Sequence, residues 1–167
     1  MDGSRTRRIL LLGAAGIALF MLVYLGYPAV KLEVISRHYQ LYGSYAILPG
    51  DAPRTAEKPL ALKTRRADYE REGIRLTNVL YYRELGQLAF GYIYGDDRQA
   101  LYDIALLDAE GRKVPGDLMV TGSDRFHAKR LQKLNFRLAH PLDGQAAYTI
   151  LITDERGERV GALEFGV

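Results

Sequence analysis

Hydrophobic residues follow two different patterns along this chain. Ile9–Tyr27 is an unbroken apolar run without a charged residue, and it continues past Pro28 to Val30. From Leu60 onward, apolar and polar residues alternate in short stretches separated by turn-forming residues. The first pattern predicts a helix that spans a membrane, and the second predicts β-strands with one buried face.

The apolar run has the length that a bilayer requires. Ile9–Tyr27 contains 19 residues, and about 20 apolar residues at 1.5 Å each cross a hydrocarbon core of about 30 Å. Tyr24 and Tyr27 lie at one end, where aromatic side chains favour the interface. We therefore predict a transmembrane helix over residues 9–30, with the lipid bilayer as the partner of Ile9–Val30.

The charges beside the run predict its orientation. Arg5, Arg7 and Arg8 precede it directly, whereas only Lys31 and Arg37 follow closely. The positive-inside rule then places residues 1–8 in the cytoplasm as a short tail and the rest of the chain outside the cell membrane. The run exceeds a typical signal-peptide core and no A-x-A-like cleavage site follows it, so we predict an uncleaved, single-pass signal anchor.

Composition narrows the possible chemistry. The chain has 167 residues with 23 Lys and Arg against 20 Asp and Glu. Removing the three arginines and Asp2 of the tail leaves 20 against 19, so the outer part is nearly neutral and gives no reason to expect a nucleic-acid partner. Cysteine is absent, which excludes disulfides, thiolate nucleophiles and Cys-ligated zinc.

Residues 31–59 are predicted to form a stem and linker. Two periods compete at its start, because Val30, Leu32 and Val34 alternate like a strand while Val34, His38 and Leu41 share a helical face. The alternation favours a strand or extended stem. The three prolines of residues 48–59 predict a loop after it.

Residues 60–167 are predicted to form a β domain of seven or eight antiparallel strands. Since each strand has one apolar face, two sheets must pack together as a sandwich, with a closed barrel as the alternative. Pro115 and Gly116 make Val114–Val120 an edge strand or a loop, and the mixed charges of Lys63–Glu72 predict an exposed connection. The other strands are centred on Leu60–Leu62, Ile74–Tyr82, Leu88–Tyr94, Tyr102–Leu106, Leu134–Leu138, Tyr148–Ile152 and Val160–Phe165.

The run Glu72–Tyr82 followed by Gln87–Tyr92 resembles the opening hairpin of immunoglobulin-like extracytoplasmic domains. Such domains occur in membrane-anchored proteins of Gram-positive bacteria, many of them uncharacterised. Leu106–Arg112 and Ile152–Gly157 are similar to their turns, in which a strand is followed by Asp and Gly. The resemblance covers about Leu60 to Val167 and implies an immunoglobulin-like sandwich outside the cell, with no functional residues attached. Within it, Tyr148 after the Gly144 turn predicts either a tyrosine corner or a simple core tyrosine.

The sequence offers few groups for catalysis or metal binding. Ser123, Asp124 and His127 lie too close together for an ordinary triad and are interpreted as a polar loop. His127 and His140 match no standard metal spacing, and Asp96 and Asp97 near Asp103 lack the pattern of a calcium loop. No catalytic, cofactor or metal residue is predicted.

One basic stretch remains as a candidate binding surface. Its residues are predicted to contact an anionic envelope polymer or lipid headgroups, or else to form a solvated strand face: Arg125, Lys129, Arg130, Lys133 and Arg137. We therefore predict a membrane-tethered, non-enzymatic domain that binds a protein or an envelope polymer. The alternatives are an accessory subunit assembled through anchor and stem, and, remotely, a hydrolase with an unfamiliar site.

Overall fold

The computed structural model describes residues 3–39, 58–70, 73–95, 102–144 and 146–167. The chain divides into two compact units, Met1–Glu33 and Val34–Val167, and we call the second the β unit. Most of the predicted linker and the acidic pair Asp96 and Asp97 lie outside the described residues.

One helix, α1, covers Gly3–Arg37. Its 35 residues rise about 50 Å, which exceeds the thickness of a hydrocarbon core. The large apolar side chains from Leu11 to Val30 are mostly exposed, which suits a helix that faces lipid. The helix is therefore long and apolar enough to span a membrane, as the sequence predicts.

The prediction of an extended stem is wrong for residues 31–37, because α1 continues through them. The helical period wins over the alternating one at this point: Ile35, Ser36 and Tyr39 are all buried, and they share one helical face. Tyr39 follows α1 and is fully buried within the β unit. The end of α1 is thus part of the β unit rather than of a separate linker.

Asn78 caps the C-terminal end of α1. Its backbone N–H donates to the Ser36 carbonyl at 3.0 Å, and its side-chain Oδ1 accepts from the Tyr39 N–H at 2.7 Å. The last carbonyls of a helix have no partner within the helix, so such contacts remove a desolvation cost at a buried end. Asn78 interrupts the apolar face of its predicted strand, and this cap is the structural reason.

Replacing Asn78 by alanine should therefore loosen the helix end. The buried Tyr39 N–H would lose its acceptor, at a cost of about 1–3 kcal/mol to the free energy of unfolding of the β unit. Hydrogen exchange on the full chain should show a less protected Tyr39 amide. Asn78→Asp keeps a side-chain oxygen there and should restore most of the protection. Unchanged exchange in the alanine variant would show that Asn78 does not supply the cap.

The described residues contain ten strands. Eight strands are predicted at most; the second of these is divided in the structure at Thr77–Val79, and Lys63–Tyr69 forms a further strand. The strands are β1 (Leu60–Ala61), β2 (Lys63–Tyr69), β3 (Arg75–Leu76), β4 (Leu80–Tyr82), β5 (Gln87–Gly95), β6 (Asp103–Leu107), β7 (Gly116–Phe126), β8 (Lys129–Leu138), β9 (Ala147–Thr153) and β10 (Arg159–Gly166).

The strands form two antiparallel sheets that enclose one core. The first has the order β1-β4-β5-β8-β7, with β3 also paired to β5, and the second has the order β2-β10-β9-β6. Both sheets contribute buried side chains to the same apolar cluster, among them Leu88, Phe90, Leu134, Phe136, Ile150, Ile152, Leu163 and Phe165. Two sheets packed in this way are sandwich-like and favour the predicted sandwich over the closed barrel.

Two predicted irregular segments are strands in the structure. Lys63–Glu72 was expected as an exposed connection, but Lys63–Tyr69 is β2 and pairs with β10. Its charged side chains suit an edge strand that must not pair with other chains. The segment predicted as an edge strand or loop becomes β7, which begins after Pro115 and lies at an edge of the first sheet.

The turns that follow β6 and β9, each of which begins with Asp and contains Gly, have the same geometry. In each, the aspartate Oδ1 accepts two backbone N–H groups, from Glu110 and Arg112 at Asp108 and from residues 156 and 158 at Asp154. Gly111 and Gly157 adopt φ of 77° and 76°, which favours glycine. Desolvation opposes ionisation of Asp108, but its hydrogen bonds from Arg112 and Glu110 outweigh this and lower its pKa.

Candidate functional site

The predicted basic stretch lies in the hairpin formed by β7 and β8. The strands pair from Gly116↔Leu138 to Phe126↔Lys129, and His127 and Ala128 form the turn. His127 has φ of 51°, as two-residue hairpin turns require. The interpretation of Ser123, Asp124 and His127 as a loop is therefore wrong for the first two, which are β7 residues.

The pleat of β8 divides the predicted patch between two faces. Leu134 and Phe136 point into the core. Gln132 and Arg130 precede Leu134 by two and four residues, so they lie on the same face as Leu134. We call it the inner face. Lys129, Lys133 and Arg137 lie on the opposite, outer face. Arg125 is the cross-strand partner of Arg130 and therefore belongs to the inner face.

Acidic residues accompany the basic ones on the outer face. Lys133 Nζ lies 2.8 Å from the Asp124 carboxylate, and Arg137 is directly opposite Asp117 across the ladder. Both carboxylates come from β7. These pairs reduce the positive potential of the outer face, so it is a poor surface for an anionic polymer.

The inner face near the turn has a different composition. Arg125 and Arg130 are cross-strand partners, Tyr94 of β5 is the next partner of Arg130, and Ser123 is opposite Gln132. We call these five residues the inner-face cluster. Within hairpin residues 116–138 no acidic residue lies on this face. Two guanidinium groups on adjacent strands can donate hydrogen bonds to one carboxylate or phosphate group.

Aromatic rings continue from the inner-face cluster towards the core. The rings of Tyr92 and Tyr94 stack with centroids 5.1 Å apart, and Tyr102 meets Tyr92 edge-on at 5.8 Å. Tyr92 is buried, whereas Tyr94 and Tyr102 are partly exposed. The stack holds Tyr94 in place beside Arg130. A ring that is already fixed on one side loses little entropy when a ligand packs on it.

The inner face of β7 is exposed although it belongs to the core side of the sheet. Val120 is 60% exposed and Leu118 is 37% exposed. Their cross-strand partners on β8, Leu134 and Phe136, are only 2% and 6% exposed. Among the described residues, the second sheet therefore covers the inner face of β8 but leaves that of β7 open.

The other candidate groups do not converge. Ser123 and Asp124 are neighbours in a strand and point to opposite faces. His127 and His140 lie beyond opposite ends of the ten-residue β8, which separates them by roughly 30 Å. Within the part of the chain that the structure describes, no group of three His, Asp or Glu residues is arranged to hold a metal ion.

Tyr148 makes the local contact that a tyrosine corner contains. Its hydroxyl accepts a hydrogen bond from the backbone N–H of Asp143 at 2.9 Å, five residues upstream and across the Gly144 turn. Its ring also stacks on Phe165 with centroids 6.0 Å apart. Tyr148 is thus both a core residue and a clamp on the turn that enters β9, far in sequence from the inner-face cluster.

Sequence reasoning missed Tyr94, Ser123 and Gln132 as members of the candidate site. The alternation of Leu134, Phe136 and Leu138 contains the necessary signal, since counting back by twos reaches Gln132 and Arg130 but not Lys133. The partnership of Tyr94 with Arg130 depends on strand order, which no local pattern encodes.

Comparisons with family models, curated proteins and solved structures find no match to this chain. The immunoglobulin-like resemblance consequently stays a prediction, and the inner-face cluster has to be interpreted from its own chemistry.

Proposed function

We propose that this protein is a single-pass, membrane-tethered binding module that holds an anionic polymer of the cell envelope outside the cell. The inner-face cluster is the binding site. The observation that carries the proposal is the cross-strand pair Arg125↔Arg130 on an exposed strand face without acidic residues in its hairpin. No catalytic step is required.

The tether is supported by α1 and by the charges around it. Its apolar segment is long enough for a bilayer, and the arginines before it favour a cytoplasmic N-terminus. The β unit then lies in the extracytoplasmic space, where envelope polymers are found.

The choice of an anionic ligand is supported by the position of two guanidinium groups on one face of the hairpin. Arg125 and Arg130 are cross-strand partners there. A guanidinium binds carboxylate or phosphate through two parallel hydrogen bonds, and two adjacent guanidinium groups bind such a group more strongly than one.

We also propose that the two sheets form an immunoglobulin-like sandwich. The hairpin of β4 and β5 that carries the resemblance is present. The accessory-subunit and hydrolase hypotheses also stay predictions, and no contact described here favours either of them.

Binding and orientation are tested together on intact spheroplasts that carry the full chain. The probe is fluorescent polygalacturonate, an anionic polymer that does not cross the membrane. We expect retention of the probe, and we expect the Arg125→Ala/Arg130→Ala variant to reduce retention at least tenfold, since each charged hydrogen bond contributes about 1.5–3 kcal/mol.

The matched control is Lys133→Ala/Arg137→Ala, which removes the same charge from the outer face of β8 in the same hairpin. It should retain the probe nearly as well as the wild type. Equal loss in both double variants would show that net charge, not the inner-face cluster, drives retention. Absence of retention by the wild type, with the β unit degraded by external protease, would reject the binding function but not the orientation.

A further inference from the structure

We propose that the ligand of the inner-face cluster is an acidic polysaccharide, a chain of sugars that carry carboxylate or phosphate groups, lying along β7. This inference rests on the proposed function and names the class of its ligand. The juxtaposition that carries it is an aromatic ring, two arginines and two neutral polar side chains on one exposed strand face: Tyr94, Arg125, Arg130, Ser123 and Gln132.

The aromatic ring distinguishes a sugar from other anions. Tyr94 is partly exposed and is held on one side by its stack on Tyr92 at 5.1 Å. A sugar ring has an apolar face of C–H groups that packs on an aromatic ring, whereas a polypeptide of acidic residues has no such rigid face. Because Tyr94 is the cross-strand partner of Arg130, a sugar on the ring places its acidic group within reach of the guanidinium.

The neutral polar residues suit hydroxyl groups. Ser123 and Gln132 are cross-strand partners, two residue pairs further from the turn than Arg125 and Arg130 and therefore on the same face. Serine and glutamine side chains both donate and accept hydrogen bonds, as sugar hydroxyls do. A face designed only for charge would carry further basic residues at these positions.

The length of the exposed face favours a polymer over a single sugar. The inner face of β7 is open from Leu118, through Val120, to Arg125. Seven residue steps in a strand extend roughly 23 Å, which accommodates several sugar units. Leu118 and Val120 add apolar contact area at the end away from the charges.

The test uses the purified full chain in zwitterionic nanodiscs and measures fluorescence anisotropy with three labelled polymers. Polygalacturonate has sugars and charge, polyglutamate has charge without sugars, and dextran has sugars without charge. We expect polygalacturonate to bind at least tenfold more tightly than polyglutamate, and dextran to bind weakly. Added salt should weaken binding of both anionic polymers.

Variants assign the preference to residues. Tyr94→Ala should lower the affinity for polygalacturonate about tenfold while leaving polyglutamate unchanged, whereas Tyr94→Phe should retain the preference and control for folding. Gln132→Ala should lower polygalacturonate affinity severalfold. Arg130→Ala should weaken both anionic polymers, which is the signature of the proposed function alone.

Three outcomes would overturn the inference in different ways. Equal affinity for polygalacturonate and polyglutamate, or equal effects of Tyr94→Ala on both, would reject the sugar but preserve the anionic site. Binding of neither polymer would reject the proposed function itself. A dimer that forms without polymer and is disrupted by Val120→Lys would show that the open face of β7 is instead an interface between two copies.

Discussion

Replacing Gly91 by alanine should destabilise the β unit by about 3 kcal/mol, near the upper end of the cost of overpacking. A Cβ atom at this position would lie 2.5 Å from Leu131 Cδ1 and 2.7 Å from Thr77 Cγ2. Both distances are shorter than real Cβ contacts, so at least one neighbour must move. Tyr39, 3.4 Å away, limits movement on the third side.

The neighbours of Gly91 cannot yield cheaply. Thr77 Oγ1 accepts the Gly91 N–H at 2.7 Å, and the Thr77 N–H donates to the Gly91 carbonyl at 2.9 Å. Rotating Thr77 away would break the first of these bonds within a buried site. Leu131 is fully buried, so its side chain has no space into which it can turn.

Thermal denaturation of the full chain in detergent micelles, followed by circular dichroism, measures the effect. The expected loss corresponds to a fall of roughly 10 °C in melting temperature for a unit of this size. Gly122→Ala is the matched control. Gly91 and Gly122 are both cross-strand partners of Lys133, one on each side of β8. A Cβ atom at Gly122 would meet only Lys133 Cδ, at 3.8 Å. Comparable losses in the two variants would show that Gly91 is not tightly packed.

Alternation of apolar residues predicted most of the β unit, because most strands carry apolar residues on the face towards the core, although β5 is buried on both faces. The burial of Tyr148, Ile150 and Ile152 in β9 follows the predicted period of two. The interruption at Thr77–Val79 was not predictable in this way. Its cause is a contact with the end of α1, 39 residues away in sequence, through the Asn78 side chain.

The candidate site was predictable in composition but not in arrangement. The basic residues between 125 and 137 are evident in the sequence, yet a loop assignment for Ser123 and Asp124 hid the alternation that separates them. Pro115 and Gly116 predicted an edge strand or a loop over Val114–Val120, and pairing with β8 makes β7 an edge strand of 11 residues. Tertiary pairing overrides such local signals because it satisfies backbone groups that a loop leaves to water.

Replacing Leu134 by alanine should cost about 3–4 kcal/mol, while Val120→Ala should cost less than about 0.5 kcal/mol. The two residues are cross-strand partners on the same face of the same sheet. Leu134 is 2% exposed and belongs to the core between the sheets, whereas Val120 is 60% exposed. Truncating Leu134 therefore leaves a cavity, and truncating Val120 removes contacts mainly with solvent.

This comparison tests the open face on which the binding site depends. Strand propensities span only about 1 kcal/mol, so burial explains most of a difference of several kcal/mol between partners in one ladder. Denaturation of the full chain in micelles measures both variants. If Val120→Ala cost as much as Leu134→Ala, the inner face of β7 would be covered in the folded protein, and no polymer would reach Arg125 and Arg130 along it.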